Sequence, residues 1–557
     1  MFLRHYNTII ALARPEGLPV PTDAGAAREW AQAGAHLALR RELTDMPLSR
    51  RLADPAAYLA LQRGRRQALE ALTPVEADAP ALERIVDLIC MICEESAWSE
   101  NVKGAPFDDE QHPEIDFQCA ETLMLLAWVS RALGERLGSR VTGKLVYEAR
   151  RRVFSPFLAH GDYPFMRGVG PRAALCRRPL CILADILLSA ILLEPDAARR
   201  GAVIKQALRM IDQAIQGRDA RVAALEDELA ETAAVTDLCA LLRKLTRGEA
   251  DLTRIYPTAD WLDALLFPWL VKDCFADPAA GGMRPRLSGQ ELFRVGLACG
   301  DEALTALGAA LHRMGRRPSA TVTGRFLDLG CAGMLSATSD APPRLKHAAT
   351  ARNRIMVSRF AGMTACLHTG GRRGNAGTLT LFCGDRPILV ECPGCADVPL
   401  ISGVDQLADA GERAPEAAFG AEACPADFEA EPDRELMSVD LTNAWPQRVG
   451  ARSIQRTAMA LRRDSALRLV DAFDLETALP VVFRFYTPQR PERLMNGLRL
   501  GPVDMTWEDE LRCDTAPMDA RFPDEGGEGL PLYRVTLATP KPVSRAYFTF
   551  WFSVSQG

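Results

Sequence analysis

The feature that most constrains this chain is a change of hydrophobic period near residue 352. Upstream, apolar residues recur at helical spacing, as in Ile85, Leu88, Ile89 and Ile92. Downstream, the run Arg352 to Phe360 alternates polar and apolar residues. A Gly-rich loop follows, Gly370 to Gly377, then Thr378 to Cys383, a Gly384 to Pro387 turn, and Ile388 to Glu391. Branched residues at period two, split by Gly and Pro clusters, predict antiparallel strands. The chain therefore reads as two domains, a helical one over 1–340 and a strand-built one over 341–557, with Pro342-Pro343 at the switch.

In the first half, helices are expected from Asp78 and Pro80 to about Cys93, and over Ile115–Leu133, Val141–Phe154, Pro179–Leu193, Ala202–Gln216, Leu225–Leu245, Trp261–Cys274 and Gly289–Met314. In the second half, strands are expected at Ala451–Arg462, Leu467–Phe473, Val481–Tyr486, Leu498–Val503, Tyr533–Ala538 and Ala546–Phe552. Many short strands with no helices between them favour a β-sandwich. The acidic, Ala-rich stretch 407–436 lacks periodicity and reads as a surface loop.

At 557 residues and 48% hydrophobic content the chain can bury two sizeable cores. A net charge of −6 gives no overall attraction to nucleic acid or an anionic membrane. The 15 cysteines are scattered and odd in number, which argues against a disulfide framework and for a reducing compartment. The first residues, interrupted by Arg4, His5, Arg14 and Glu16, make a poor signal peptide. Leu180–Leu193 is apolar but too short to span a bilayer and carries Asp185. The expectation is a soluble cytoplasmic protein, monomeric or homodimeric, without cofactor. Cys392 and Cys395 form a Cys-x-x-Cys, too few ligands for a zinc site alone, and read as a turn with buried thiols.

Several stretches together resemble the heparinase II/III group of polysaccharide lyases. They are Ile92 to Trp98, Ile115-Asp116-Phe117 with Ala120-Glu121-Thr122, Arg151 to Pro156, Asp385 to Val390, Pro399 to Gln406 and Leu532 to Val535. The resemblance implies an incomplete α/α toroid followed by an antiparallel β-sandwich. It implies β-elimination at a uronic acid: a base removes a ring proton, a neutraliser steadies the carboxylate, and an acid protonates the leaving oxygen.

The family's functional motifs do not carry over. Its His-rich run before the strand at Thr378 is replaced by Arg372-Arg373-Gly374-Asn375-Ala376-Gly377. Its Asn-Trp-Asn place holds Gly170 to Leu175, and its Gly-Pro-Xaa-Tyr-Trp place holds Asp227 to Glu231 without a Tyr. After Trp98, its Pro-Ala-His place holds Asn101-Val102-Lys103. Of its sandwich metal ligands only Glu391 matches in type, with Asp397-Val398 where a His is expected, so no metal site is expected.

The remaining candidates are therefore Tyr163 and His368 for proton transfer. His368 either replaces the lost family His or is a strand-end His without catalytic role. His112 and His160 read as solvated loop residues. For acidic carbohydrate the candidates are Trp98, Asn101, Lys103, Arg167, Arg172, Arg372, Arg373 and Asn375, since guanidinium forks suit carboxylate and sulfate. The arginines read equally as a solvated basic rim. The expected partner is an acidic polysaccharide or oligosaccharide.

Overall fold

The structure, a computed structural model, describes residues 2–13, 45–74, 79–100, 111–166, 178–216, 225–252, 288–314, 317–338, 347–350, 355–368, 376–384, 386–391, 396–406, 424–508, 510–522 and 529–555. They form two compact units, one helical and reaching Pro342, the other strand-built from Pro343 onward.

In the helical unit the apolar periods become the helices Pro55–Leu72, Ala79–Cys93, Phe117–Leu133, Gly138–Ala149, Pro179–Leu193, Ala197–Gln216 and Leu225–Leu245. Phe117–Leu133 starts where Asp116 accepts the Cys119 amide at 2.8 Å and ends at Gly134, φ +52°. It packs against Pro179–Leu193, which packs in turn on Ala197–Gln216. The helix expected over Val141–Phe154 ends instead in a π-helical turn, Arg150–Phe154. The single helix expected over Gly289–Met314 is two, Gly289–Cys299 and Glu302–Met314, broken at Gly300 with φ +69°. Those two helices touch backbone to backbone. A Cβ placed on Gly289 would lie 2.4 Å from the His312 amide nitrogen, one on Gly296 2.5 Å from that of Thr305, and one on Gly308 2.3 Å from that of Phe293.

Among the described residues the strand unit holds three antiparallel sheets. A five-stranded sheet runs in chain order from His347–Thr350 to Arg386–Leu389. An eight-stranded sheet has Val543–Val554, Ala466–Leu479 and Ala451–Leu461 side by side near its middle and ends on Pro491–Leu494 and Ala426–Ala430. A four-stranded sheet orders Arg512–Phe522, Leu530–Ala538, Val481–Thr487 and Leu400–Ile401. Phe483 and Phe485 of the small sheet meet Phe550 of the large one at centroid distances of 5.0 and 5.2 Å. One apolar cluster draws residues from all three sheets. The stretch 407–436 is corrected in part, because Ala426–Ala430 and the strand from Arg434 pair as a hairpin. The expected strand Leu498–Val503 is two, turning at Gly501 with φ +61°.

Candidate functional site

The stretches that carry the resemblance in the helical unit meet in one buried ionic cluster. Glu95, at the end of the helix Ala79–Cys93, accepts from Arg66 at 2.8 Å and Gln62 at 3.3 Å. Arg66 also donates to the Thr122 hydroxyl at 2.6 Å. The π turn brings in Arg152, which donates to the Glu95 carbonyl at 2.5 Å and to Glu148 at 2.9 Å. Its guanidinium lies 4.9 Å from the Trp98 ring centroid. Trp98 is 1% exposed and donates its indole N–H to the Ile92 carbonyl at 2.9 Å. Trp98, expected from sequence as a carbohydrate contact, thus has its ring enclosed by the core and spends its indole N–H on the backbone. These motif residues build the frame.

Tyr163 is likewise buried, at 2% exposure. Its hydroxyl donates to the Pro113 carbonyl at 2.8 Å, and its ring stacks on Phe165 at 5.5 Å. It therefore ties the segment after Gln111 to the segment after Ala159. His112 packs against the same ring at 4.9 Å, and His160 lies 4.3 Å from His112 between centroids. His112 Nε2 is 2.8 Å from Asp162 Oδ1, and His160 Nε2 is 3.1 Å from the Gln111 carbonyl. The sequence reading placed both histidines in loops as solvated residues; the structure gathers them with Asp162.

In the strand unit His368 ends the strand Met363–His368 and is 5% exposed. Burial pulls its imidazole down to about 4, so the ring is neutral at neutral pH. Its Nδ1 lies 3.9 Å from Glu391, so Glu391 does not stand alone. Nearby, Arg456 is fully buried and holds Asp471 through two 2.7 Å hydrogen bonds. Its remaining nitrogen donates to the carbonyls of Gly377 at 2.8 Å and Asp397 at 2.7 Å. Burial pushes the Asp397 carboxyl well above its ordinary range, against the pull of Arg456. Gly377, φ +84°, holds a backbone conformation that residues with a side chain rarely adopt, and its amide bonds the His368 carbonyl at 2.7 Å. Arg456 thus ties Gly377, Asp397 and Asp471 together.

Sequence reasoning missed Arg456 and Asp471. The signal was parity: Arg456 shares the inward face of its strand with Ile454, Ala458 and Ala460, and Asp471 shares the face of Leu469 and Phe473. Asn101, Lys103, Arg167, Arg172, Arg372, Arg373 and Asn375 lie outside the described residues, as do Cys392, Cys395 and the expected helix Trp261–Cys274. Among the described residues no helix is long and apolar enough to cross a membrane.

No family model matches the chain, and no curated protein matches it in sequence. Solved structures do match. The chondroitin AC lyase of Streptomyces coelicolor A3, in complex with chondroitin sulphate, is 14% identical over 100% of this chain and 82% of that one, with a TM-score of 0.51. Heparinase III is 11% identical over 88% and 77%, at 0.49, and a Paenibacillus xanthan lyase 10% over 100% and 60%, at 0.48. At such identities the likeness is one of overall fold, to polysaccharide lyases that include a chondroitin AC lyase.

Proposed function

We propose that this chain is a lyase-like protein that binds acidic polysaccharide or oligosaccharide and eliminates it weakly or not at all. One observation supports this reading above the others: the overall fold is similar to that of a chondroitin AC lyase, while both described candidates for proton transfer are enclosed. A general base must reach the proton it removes and titrate near the working pH. The Tyr163 hydroxyl is engaged with Pro113, and His368, with a pKa of about 4, is a weak base. Losing even one positioned acid or base typically removes about 10²–10⁴-fold in rate. On this reading Lys103, Arg167, Arg172, Arg372 and Arg373 supply cationic contacts, with Asn101 and Asn375 as polar ones. The pairwise packing of successive helices supports reading the helical unit as an incomplete α/α toroid. The reading includes a cytoplasmic monomer or homodimer, without cofactor and without nucleic-acid or membrane partners.

The test is ultraviolet absorbance of the unsaturated uronate product on heparin, heparan sulfate, chondroitin and alginate, beside calorimetry at low and high salt. Absent turnover with binding that weakens in salt is expected. Robust turnover on any substrate would make this an active lyase with substituted groups. Neither turnover nor binding would leave a scaffold.

A further inference from the structure

The junction tied by Tyr163 gathers three side chains that together bind divalent transition metals well: two imidazoles and a carboxylate. We infer that His112, His160 and Asp162 form a solvent-open site for a divalent cation of the zinc and cobalt class. The three offered ligand atoms lie within 4.8 Å of one another. Nitrogen and oxygen ligands about 2.0–2.2 Å from a tetrahedral ion sit roughly 3.3 Å apart, so the ligand atoms would draw together on binding. An ordinary His112–Asp162 ion pair would account for those two residues. His160 bonds the Gln111 carbonyl through Nε2, and its ring stands 4.3 Å from that of His112, so a second imidazole joins the pair.

The surroundings hold the ligands in place. Tyr163, in ring contact with His112 and Phe165 and bonded to Pro113, fixes both ligand-bearing segments against each other. When His160 Nε2 donates to the Gln111 carbonyl, its Nδ1 carries the lone pair. A backbone carbonyl holding the far nitrogen of a ligating histidine is a common outer-shell arrangement. The His112 and Asp162 side chains are 37% and 56% exposed, so the ion can enter and water can complete its coordination. Imidazole and carboxylate together favour zinc or cobalt over magnesium or calcium. The bound ion would clip the 111–116 and 160–163 segments together. It is separate from the sandwich position of Glu391, and the inference does not rest on the carbohydrate reading.

The experiment titrates cobalt(II) chloride into the full-length, chelator-treated protein and records visible absorbance. Cobalt separates this site from the free thiols, such as Cys90 and Cys299, because thiolate ligands add an intense charge-transfer band. Stoichiometric d–d absorbance without that band is expected, displaced by zinc but not by magnesium. His160→Gln and Asp162→Asn should each weaken binding at least tenfold, since even outer-shell changes cost about 10–100-fold. His112 packs on Tyr163 and its loss could unfold the junction, so these two variants carry the test, with metal-free melting curves as the folding control. Cobalt binding that is unchanged in both variants, a thiolate band, or no binding at all would overturn the inference.

Discussion

The two units bury charge for different reasons. In the helical unit buried carboxylates reach across the chain to the open ends of helices. Glu121 accepts the Val322 amide at 2.9 Å, Glu231 that of Leu180 at 3.1 Å, and Glu291 that of Ala320 at 2.5 Å. Asp212 accepts the amides of Phe2 and Leu3. A helix leaves its first amides without intrahelical partners, and a buried start must find acceptors elsewhere. Sheets satisfy most of their backbone by pairing, and in the strand unit a buried carboxylate supplements it at a strand start, where Asp397 accepts the Leu379 amide at 2.8 Å. Its core is a ladder of aromatic rings, and its deeply buried Arg456 serves loops. Carboxylates therefore recur at the helix starts of the helical unit, while strand pairing and apolar faces carry most of the closure of the sheets.

Removing Arg456 should give the largest effect. Arg456→Met strands Asp471 and frees two loop carbonyls, and breaking a buried pair from one side costs about 3–5 kcal/mol. Urea unfolding followed by near-ultraviolet circular dichroism measures it; a loss under about 1 kcal/mol would mean the aromatic ladder alone sets the strand unit's stability.

The next effect is pH-dependent. His368 is held at about 4 when folded, below the ordinary 6.5, so the folded unit binds fewer protons than the unfolded chain between those values. Its contribution is present above about 6.5 and is lost as pH falls towards 4, about 3 kcal/mol in all. In His368→Gln that part of the slope should vanish from urea midpoints measured between pH 7 and 4. An unchanged slope would place the acid sensitivity elsewhere.

The smallest effect probes the helical unit's redundancy. Glu121→Ala removes the acceptor of Val322, but Arg325 keeps Glu70 at 2.7 and 3.0 Å. A loss of about 2 kcal/mol is expected, near the middle of the range for one orphaned buried group. The exposed cap variant Asp54→Ala, worth about 1 kcal/mol, is the yardstick. Equal losses in the two variants would break the contrast between long-range anchors and local caps.

Periodicity made the element types legible, because burial on one face imprints its period on the chain. Pro179–Leu193 and Leu225–Leu245 have the ends expected from sequence. Breaks at single residues were not legible. Gly300 and Gly501 turn the chain within runs whose apolar pattern continues across them. Nor were the anchors: Glu121 and Val322 are 201 residues apart, and no local pattern records such a partner. At the candidate site Tyr163 was singled out for proton transfer, and its phenol hydroxyl is engaged with the Pro113 carbonyl, a partner no local pattern records. The pairing of His112 with His160 depends on how two distant loops meet, which spacing along the chain does not encode.

The hairpin of Gly289–Cys299 and Glu302–Met314 has a consequence for tracing ancestry. Even a methyl group at Gly289, Gly296 or Gly308 would collide with the opposing backbone, so a chain that keeps this contact must keep all three glycines whatever happens to its reactive side chains. Seven residues separate the first two and twelve the last two. That spacing is a steric signature of the scaffold, independent of chemistry. It can separate distant descendants that retain the architecture from chains that share only scattered motifs.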